Sequence, residues 1–425
     1  MSDVVVVIGG GAAGLVAAAF AAAGGADVTL VERTADGGRK ILISGGGRCN
    51  VLPSVLAPER FVTDSPAHLL RRMLRAWPLH EQRAFFEHDL GIPLALEKES
   101  GKLFPLSNRA KDIRDGLVTF ARARGVNLQF NTSVTAIQPG QRVGGGNPLG
   151  LPVGFTVQTS AGDLPATRVI LATGGLSVPM TGSDGTGLRV AESLGHRMVP
   201  TYPALTPLLG TGHDSLSGVS LDVRLRSKDG TRVTETSGGF LFTHRGYSGP
   251  SVLDISHVVT NVASGFPVRR SLGEGGSRTI KAQWSPLAAP AWEKELNLPS
   301  ALVISIVARH VPARLAEQLM LEAGVPTDRR TSAFKRTERL ALIERLTSYE
   351  LPVTGDEGYK KAEVTGGGVA LDEVETRTLE SRRCPGLFFC GEILDAFGPI
   401  GGHNFAWAWA TGRAAGLAAG APDAP

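Results

Sequence analysis

Five apolar residues in a row, Val4 to Ile8, open the chain. An uninterrupted run of that length, closed by glycine, predicts a strand buried on both faces. The turn Gly9-x-Gly11-x-x-Gly14 follows, then a helix of small residues to about Ala23, then a second apolar strand from Val28 to Val31 that ends on Glu32. The signature returns at Val169 to Ala172, ahead of Gly174 and Gly175. It returns again in GLFFCGEILDAFGPIGGHNFAWAWATGRAAG, which predicts a strand, the pair Gly391-Glu392, a loop, and a glycine-rich entry into a final helix. Between these segments the pattern changes. Residues 58–125 read as a largely helical excursion that closes on the amphipathic helix RAKDIRDGLVTFARARG. Residues of about 195–290 alternate short apolar strands with turns, as in VSLDVRLRSKDGTRVTE, and read as a β-barrel-like unit. From about 300 to 350 the spacing becomes helical, in VPARLAEQLMLEAG and RTERLALIERLTSYE. RVGGGNPLGLP and SGFPVRRSLGEGGS read as flexible surface loops.

A Gly-x-Gly-x-x-Gly alone is a weak signal. Here it follows a strand, opens a helix, and is answered by an acid 18 residues after the third glycine, which is the setting of a dinucleotide-binding unit. Gly9 permits the tight turn, Gly11 lets the backbone approach a pyrophosphate at the helix N-terminus, and Gly14 permits close packing of helix on strand. Glu32 is placed to accept hydrogen bonds from the adenosine ribose. These residues alone do not separate FAD from NAD. No second strand–GxGxxG–helix unit occurs, so a nicotinamide donor would have to dock transiently rather than on a fold of its own.

The chain has 425 residues, 42% of them apolar and 20% charged, enough for two or three domains and a large core. No apolar run approaches the roughly 20 residues that span a bilayer, and a cytoplasmic location with no membrane partner is expected. Cys49, Cys384 and Cys390 form no C-x-x-C pair, which argues against structural disulfides and zinc. No metal-binding signature, Walker loop or G-x-S-x-G elbow is present, and no metal is expected. The formal charge is +4 and the pI about 9.0, which permits an anionic partner without requiring one. Residues 58–125 hold 12 basic and 9 acidic side chains and include LLRRMLRAW; such a face is ordinarily just solvated. Oligomeric state leaves no mark in the sequence.

KILISGGGRCNV, residues 40–51, places three glycines directly before Arg48, Cys49 and Asn50. A glycine run costs backbone entropy, so it marks a place where another backbone or a ligand comes very close. Taken together, GGGAAG, KILISGGGRCN, VILATGG, LFTHRGYSGPSVLDIS, AEVTGGGV and GLFFCGEILDAFGPIGGHN resemble the BaiN/YhiN-type (BaiN/RdsA) FAD-dependent flavoproteins. Relatives of that family include the flavoprotein subunits of fumarate reductase and FAD enzymes similar to aminoacetone oxidase. The resemblance covers nearly the whole chain. It implies an α/β, Rossmann-like FAD-binding domain of the two-dinucleotide-binding-domain flavoprotein type, interrupted by a β-barrel-like and helical substrate domain. The expected boundaries are 1–194, 195–360 and 361–425.

The family implies noncovalent FAD, held by Gly9, Gly11, Ala12, Ala13, Gly14, Glu32 and Arg33 and by Thr173 and Gly174. Gly45, Gly46 and Gly47 would pass tightly beside the flavin, with Arg39, Lys40, Ser44 and Asn50 supplying polar groups near it. Gly391, Glu392 and Asp395 stand where such folds meet the ribityl chain or the pyrophosphate. Gly401, Gly402, His403 and Asn404 open a helix whose positive end would face the flavin N1 and C2 carbonyl. Where the family usually has a phenol, this chain has His403, which serves either as a catalytic or as a packing residue.

The expected function is hydride transfer from flavin N5 to an activated carbon–carbon double bond, with NAD(P)H as a possible transient donor. Arg48 is the candidate cation for the developing enolate, and Cys49 or His403 the candidate acid. For Cys49 the alternative is a small packing residue. Related members reduce steroid enones or make dihydrouridine in ribosomal RNA, so uridine in structured RNA is the leading substrate and a small-molecule enone the alternative. DNA is not expected as a partner. An amine or alcohol oxidase and a non-catalytic flavin-bearing RNA-binding or sensor protein are the other readings. The excursion 58–125, with Arg269, Arg270 and Arg278, would hold RNA phosphates.

Overall fold

A computed structural model describes residues 3–140, 154–261 and 279–422. Both predicted surface loops, and Arg269, Arg270 and Arg278 with them, lie outside the described residues. The chain divides into two compact units, one made of Met1–Thr201 and Val364–Pro425 and the other of Tyr202–Glu363. These crossings fall a few residues later than composition suggests, because the strands Met198–Ala204 and Val364–Val369 that carry the chain across pair with each other.

The first unit is built on a parallel sheet of β1 (Val4–Ile8), β2 (Asp27–Val31), β3 (Asn127–Gln129), β4 (Arg168–Leu171) and β5 (Leu387–Phe389). Their spatial order is β5-β4-β1-β2-β3, and every pairing is parallel. β1 lies in the middle with Val5, Val6, Val7 and Ile8 buried, which is why its sequence does not alternate. The chain passes from β1 to β2 on one side and returns as β4 on the other. The crevice beyond the carboxyl ends of β1 and β4 is therefore the topological switch point, where open α/β sheets bind ligands.

Five helices of this unit matter for the site: α1 (Ala12–Ala23), α2 (Arg39–Ile43), α3 (Ala67–Leu74), α4 (Ala110–Ala123) and α5 (His403–Gly420). α1 and α5 pack backbone to backbone. A Cβ at Gly412, Gly416 or Gly420 would lie 2.5, 2.3 or 2.3 Å from the carbonyl oxygen of Ala13, Ala17 or Ala21. The register steps by four on both helices, so they run parallel. Gly412 is nine residues into α5 and Ala13 one residue into α1, and the N-terminus of α5 projects beyond that of α1 by about 12 Å.

The excursion 58–125 is not wholly helical. Leu94–Glu97 and Lys102–Pro105 form an antiparallel hairpin, and Leu52–Pro53 pairs with its second strand. The charged turn Lys98–Gly101 conceals this pattern, while Leu94, Leu103 and Phe104 are buried. The segment leading into α3 is anchored by Asp395. Its Oδ2 accepts from the Ser65 hydroxyl at 2.8 Å, the Ser65 N–H at 2.9 Å, the Thr63 hydroxyl at 3.0 Å and the Asp64 N–H at 3.1 Å. Asp395 thus holds protein rather than presenting this oxygen to a ligand.

The second unit contains a seven-stranded antiparallel sheet among the described residues, running from Tyr349–Glu350 at one edge to Val353–Asp356 at the other. These two edge strands are the halves of one segment, residues 349–356, interrupted only at Leu351 and Pro352, so a single stretch of chain pairs with both ends of the sheet. Val303–Val307, Ala313–Glu322 and Arg336–Thr347 are among its helices, and Phe240, Phe242, Tyr247, Trp284 and Trp292 fill the core. Buried His213 joins the Tyr247 and Tyr349 hydroxyls at 2.8 and 2.9 Å, which satisfies three polar groups inside an aromatic cluster.

Two outcomes follow from these contacts. Gly416→Val must push α5 off α1, and is expected to lower stability by about 2–3 kcal/mol in thermal unfolding, whereas Leu417→Ala on the exposed side is nearly neutral; an unchanged midpoint for Gly416→Val would sink the parallel register. The second outcome concerns pH. Burial raises the Asp395 carboxyl from its ordinary 3.8 to about 6, against the pull of the Ser65 and Thr63 donors. The folded state therefore holds this proton more tightly than the unfolded chain. Its contribution is fully present below the unfolded value and lost as pH rises through the folded one, a loss of about 3 kcal/mol. Asp395→Asn keeps an acceptor and does not titrate. The stability of wild type relative to this variant should fall by that amount between about pH 4 and pH 6.5; a difference that stays flat with pH overturns the assignment.

Candidate functional site

The switch-point crevice begins where β1 ends. Gly9 has φ +106°, and a Cβ there would lie 2.5 Å from the Ala172 carbonyl oxygen beyond β4; at Gly14 it would lie 1.9 Å from the Gly9 oxygen. Only glycine fits either position. Gly11 is different: a Cβ on it would meet no atom within 4 Å, and it is the N-cap of α1. The backbone at the positive end of α1 is thus left open. Glu32, at the end of β2, accepts from the Gly10 N–H at 2.7 Å through one oxygen and from the Thr34 N–H and hydroxyl, both at 2.7 Å, through the other. It fixes the glycine turn and also lines a cavity of about 580 Å³ together with Ile8, Gly9, Val31, Arg33 and Thr173. The far wall comes from residues 132–137 and from Gly182, Asp184 and Arg189, and Arg33 forms an ion pair with Asp184 across it.

Next to the crevice a closed polar cluster joins four segments. Lys40 of α2 donates to the Ser177 hydroxyl at 2.7 Å and to Glu392 Oε2 at 2.8 Å, and the Ser177 hydroxyl donates to Glu392 Oε1 at 2.7 Å. The Thr365 N–H reaches the same carboxylate at 3.0 Å, while its hydroxyl oxygen accepts from the Leu176 and Ser177 N–H groups. Gly175 makes room for this, since a Cβ there would lie 2.3 Å from Thr365 Oγ1. Lys40 and Glu392 are therefore brought together, but largely spent on each other. Two of the three ammonium hydrogens of Lys40 are used, and one remains. Gly391 is pinned by Thr411, which accepts from its N–H, and by the Trp407 indole, which donates to its carbonyl.

In the glycine run, Gly45, Gly46 and Gly47 have φ values of +56°, +67° and +85°. A Cβ on Gly45 would strike Asn50 Oδ1 at 2.6 Å, while one on Gly46 would face open space. Asn50 Oδ1 is buried without a hydrogen-bond partner among the described residues. Ser44 donates to the Ile41 carbonyl and closes α2, and Arg39 pairs through Nε with Asp36 at 2.8 Å, so each has one partner within its own segment. The Arg48 guanidinium lies 4.0 Å over the Phe104 ring and 3.0 Å from Glu97 Oε1, with 42% of its side chain exposed. Cys49 has no exposed surface and stands at φ +63°; burial pushes its thiol up to about 12. It is a core residue, separated from any ligand by its surroundings.

At the entry to α5, Gly401 and Gly402 have φ of +104° and +96°. Asn404 clamps the loop, accepting from the Gly398 N–H at 2.8 Å and donating to the Gly398 carbonyl at 2.9 Å. His403 is buried beside Phe61. Burial, helped by the nearby charge of Arg60, lowers its pKa to about 4, so the imidazole is neutral at pH 7.

These residues fit FAD. Gly11 and Gly46 leave backbone open where the pyrophosphate and a flat ring would lie, and the two parallel helix ends supply positive potential at points about 12 Å apart along the axis. Sequence reading did not find Ser177, Thr365, Thr34 or Asp184. Ser177 follows a glycine pair by two residues, Thr365 directly precedes three glycines, and SDGT at 183–186 resembles a helix start, but nothing local ties any of them to Lys40 or Arg33.

The HI0933-like protein Rossmann domain matches residues 3–418. The ribosomal RNA dihydrouridine synthase of Escherichia coli K12 is 32% identical over 400 residues, 90% of each chain. The 3-dehydro-bile acid delta(4,6)-reductase of Clostridium scindens is 31% identical over 403 residues, 93% of each chain. Among solved structures, the 3-ketosteroid-delta4-(5alpha)-dehydrogenase of Rhodococcus jostii RHA1 superposes with a TM-score of 0.51 at 15% identity, covering 98% of this chain and 96% of the other, a likeness of fold alone. With a family match over nearly its whole length and an intact dinucleotide crevice, this chain is an FAD-dependent oxidoreductase and belongs to the HI0933-like Rossmann family.

Proposed function

We propose that this protein reduces an activated carbon–carbon double bond and that its substrate is uridine in ribosomal RNA. The observation that carries this reading is the match to a ribosomal RNA dihydrouridine synthase across 90% of the chain. Bound FAD supplies the hydride, delivered from N5. The open turn at Gly11 and the N-terminus of α1 bind the pyrophosphate, and Glu32 and the adjoining cavity take the adenosine. The N-terminus of α5, carrying roughly half a positive charge, favours negative charge placed against it.

Hydride arriving at uracil C6 places negative charge on the conjugated C4 oxygen, and Arg48 stabilises it. The Phe104 ring holds the guanidinium in place, and the bond to Glu97 gives way as the substrate oxygen arrives. Cys49 is enclosed and His403 is neutral, so neither is placed to give a proton to C5; water is the proton source in this reading. The electron donor is NAD(P)H docking transiently, as the single Gly-x-Gly-x-x-Gly turn implies. A small-molecule enone is the second reading, favoured by the 31% match to a bile-acid reductase.

Gly11→Val tests the cofactor site. Its Cβ meets no protein atom, so the variant should fold with a near-normal melting temperature yet purify colourless; a yellow Gly11→Val protein would mean that FAD does not cross this turn. The substrate is tested by incubating the holoprotein with NADPH or NADH and ribosomal RNA precursor, then weighing nucleosides by mass spectrometry. A gain of two hydrogens on one uridine is expected. If every donor that reduces the flavin leaves RNA unchanged while a soluble enone is reduced, the second reading replaces the first.

A further inference from the structure

α3 turns a self-repelling face to solvent. His68, Arg71, Arg72 and Arg75 follow the spacing i, i+3, i+4, i+7 along the helix and its C-cap and are all exposed, while Leu70, Met73 and Leu74 are buried behind them. Among the described residues, none of the three arginines has a carboxylate partner. Most other arginines of this unit do have one, as where Arg33 pairs with Asp184, Arg39 with Asp36, Arg48 with Glu97 and Arg83 with Glu87, although among the described residues Arg122 and Arg124 on α4 do not. A fourth guanidinium is brought to the same place by α5. Arg413 lies 5.2 Å from the Trp77 ring centroid and 5.5 Å from that of Phe20, with its Nη1 3.5 Å from the Ala76 carbonyl oxygen just beyond Arg75.

Helix stability does not account for this face. Like charges three or four residues apart oppose a helix by about 0.2–0.5 kcal/mol per pair, and cations in the last turn return a comparable amount through the helix dipole. The two terms nearly cancel. What the arrangement does provide is a row of three guanidinium groups along about 6 Å of helix, close to two phosphate spacings of one strand at roughly 3.4 Å of axis each. The row is also tied to the crevice. α3 starts two residues after Ser65, which Asp395 holds through two hydrogen bonds, and Asp395 stands three residues after Glu392.

We infer that this face of α3, extended by Arg413, docks the phosphate backbone of the RNA beside the uridine to be reduced. The inference rests on the ribosomal-RNA reading above. Contacts of this kind fix the position of the strand and carry no base preference, so recognition of the one uridine falls to RNA shape and to the flavin side of the site.

The test uses the full-length holoprotein, ribosomal RNA precursor and a triple variant, Arg71→Gln with Arg72→Gln and Arg75→Gln. A second triple variant, Lys111→Gln with Arg122→Gln and Arg124→Gln on α4, removes the same charge elsewhere in the unit. RNA affinity is measured from 50 to 200 mM salt, along with flavin content, flavin reduction by the donor, and dihydrouridine yield. For the α3 variant, the slope of log affinity against log salt should flatten by about 2–3, and affinity at 50 mM should drop at least tenfold. Dihydrouridine yield at limiting RNA should fall with it, while flavin content and reduction stay at the wild-type level. An equal loss in the α4 variant would mean that net charge alone matters, and overturns the surface. Wild-type RNA binding and yield in the α3 variant overturns the surface and leaves the substrate reading standing. A wild-type protein that neither binds nor reduces the RNA overturns both.

Discussion

The site depends on one contact, the backbone packing of the first helix of the unit against the last. Gly412, Gly416 and Gly420 let α5 settle onto Ala13, Ala17 and Ala21 with no side chain between them. Because the unit is discontinuous, with a second unit between its two pieces, this register fixes where the C-terminal segment sits against the Gly9–Gly14 turn. It places Gly391 against Ala13, where a Cβ would come within 2.8 Å of the alanine methyl. It also sets two positive helix ends at fixed separation and facing the same way, as the places proposed for the pyrophosphate and the flavin ring require. A one-residue slip would move the N-terminus of α5 by about 1.5 Å and rotate its inward face by roughly 100°, so the small residues specify position as well as proximity.

Much of this was legible in the sequence, for a physical reason. A buried parallel strand, a tight turn and a helix of small residues are each local, and each needs residue types that little else favours. β1, the turn and α1 therefore read off directly, as did α5. The hairpin Leu94–Glu97 with Lys102–Pro105 did not, because its four-residue strands are too short for alternation to stand out beside a charged turn. The edge strands Tyr349–Glu350 and Val353–Asp356 were hidden for the same reason, behind a helix that ends at Thr347. Within the site, the link of Lys40 to Glu392 spans 352 residues and leaves no local trace.

Charge is managed differently in the interior and at the rim. Lys40, Glu392, Ser177 and Thr365 form a nearly self-sufficient cluster in which the half-buried carboxylate is met by an ammonium, a hydroxyl and a backbone N–H. That is the condition under which burying an ion pair is tolerable. The exposed arginines of α3 have no such compensation among the described residues and need none in water. A surface charge left unpaired in a unit that pairs most of its other arginines is informative because the fold had carboxylates to spend and placed them elsewhere.

Cys49 shows how a residue in a functional motif can serve the backbone instead. A non-glycine residue at φ +63° is held against its own preference, at a cost of about 1–3 kcal/mol, so something must over-determine it. Burial of a small apolar side chain in the core does so, and a thiol is among the side chains most often found fully buried. A β-branched residue would clash at this φ, and a glycine would leave a hole where the sulfur packs. The three preceding glycines and Cys49 then form one run of left-handed conformations interrupted only at Arg48, whose φ is −96°. Arg48 is thereby the one residue of this run with an ordinary backbone and a long, half-exposed side chain, and the Phe104 ring and Glu97 are what hold that side chain in place.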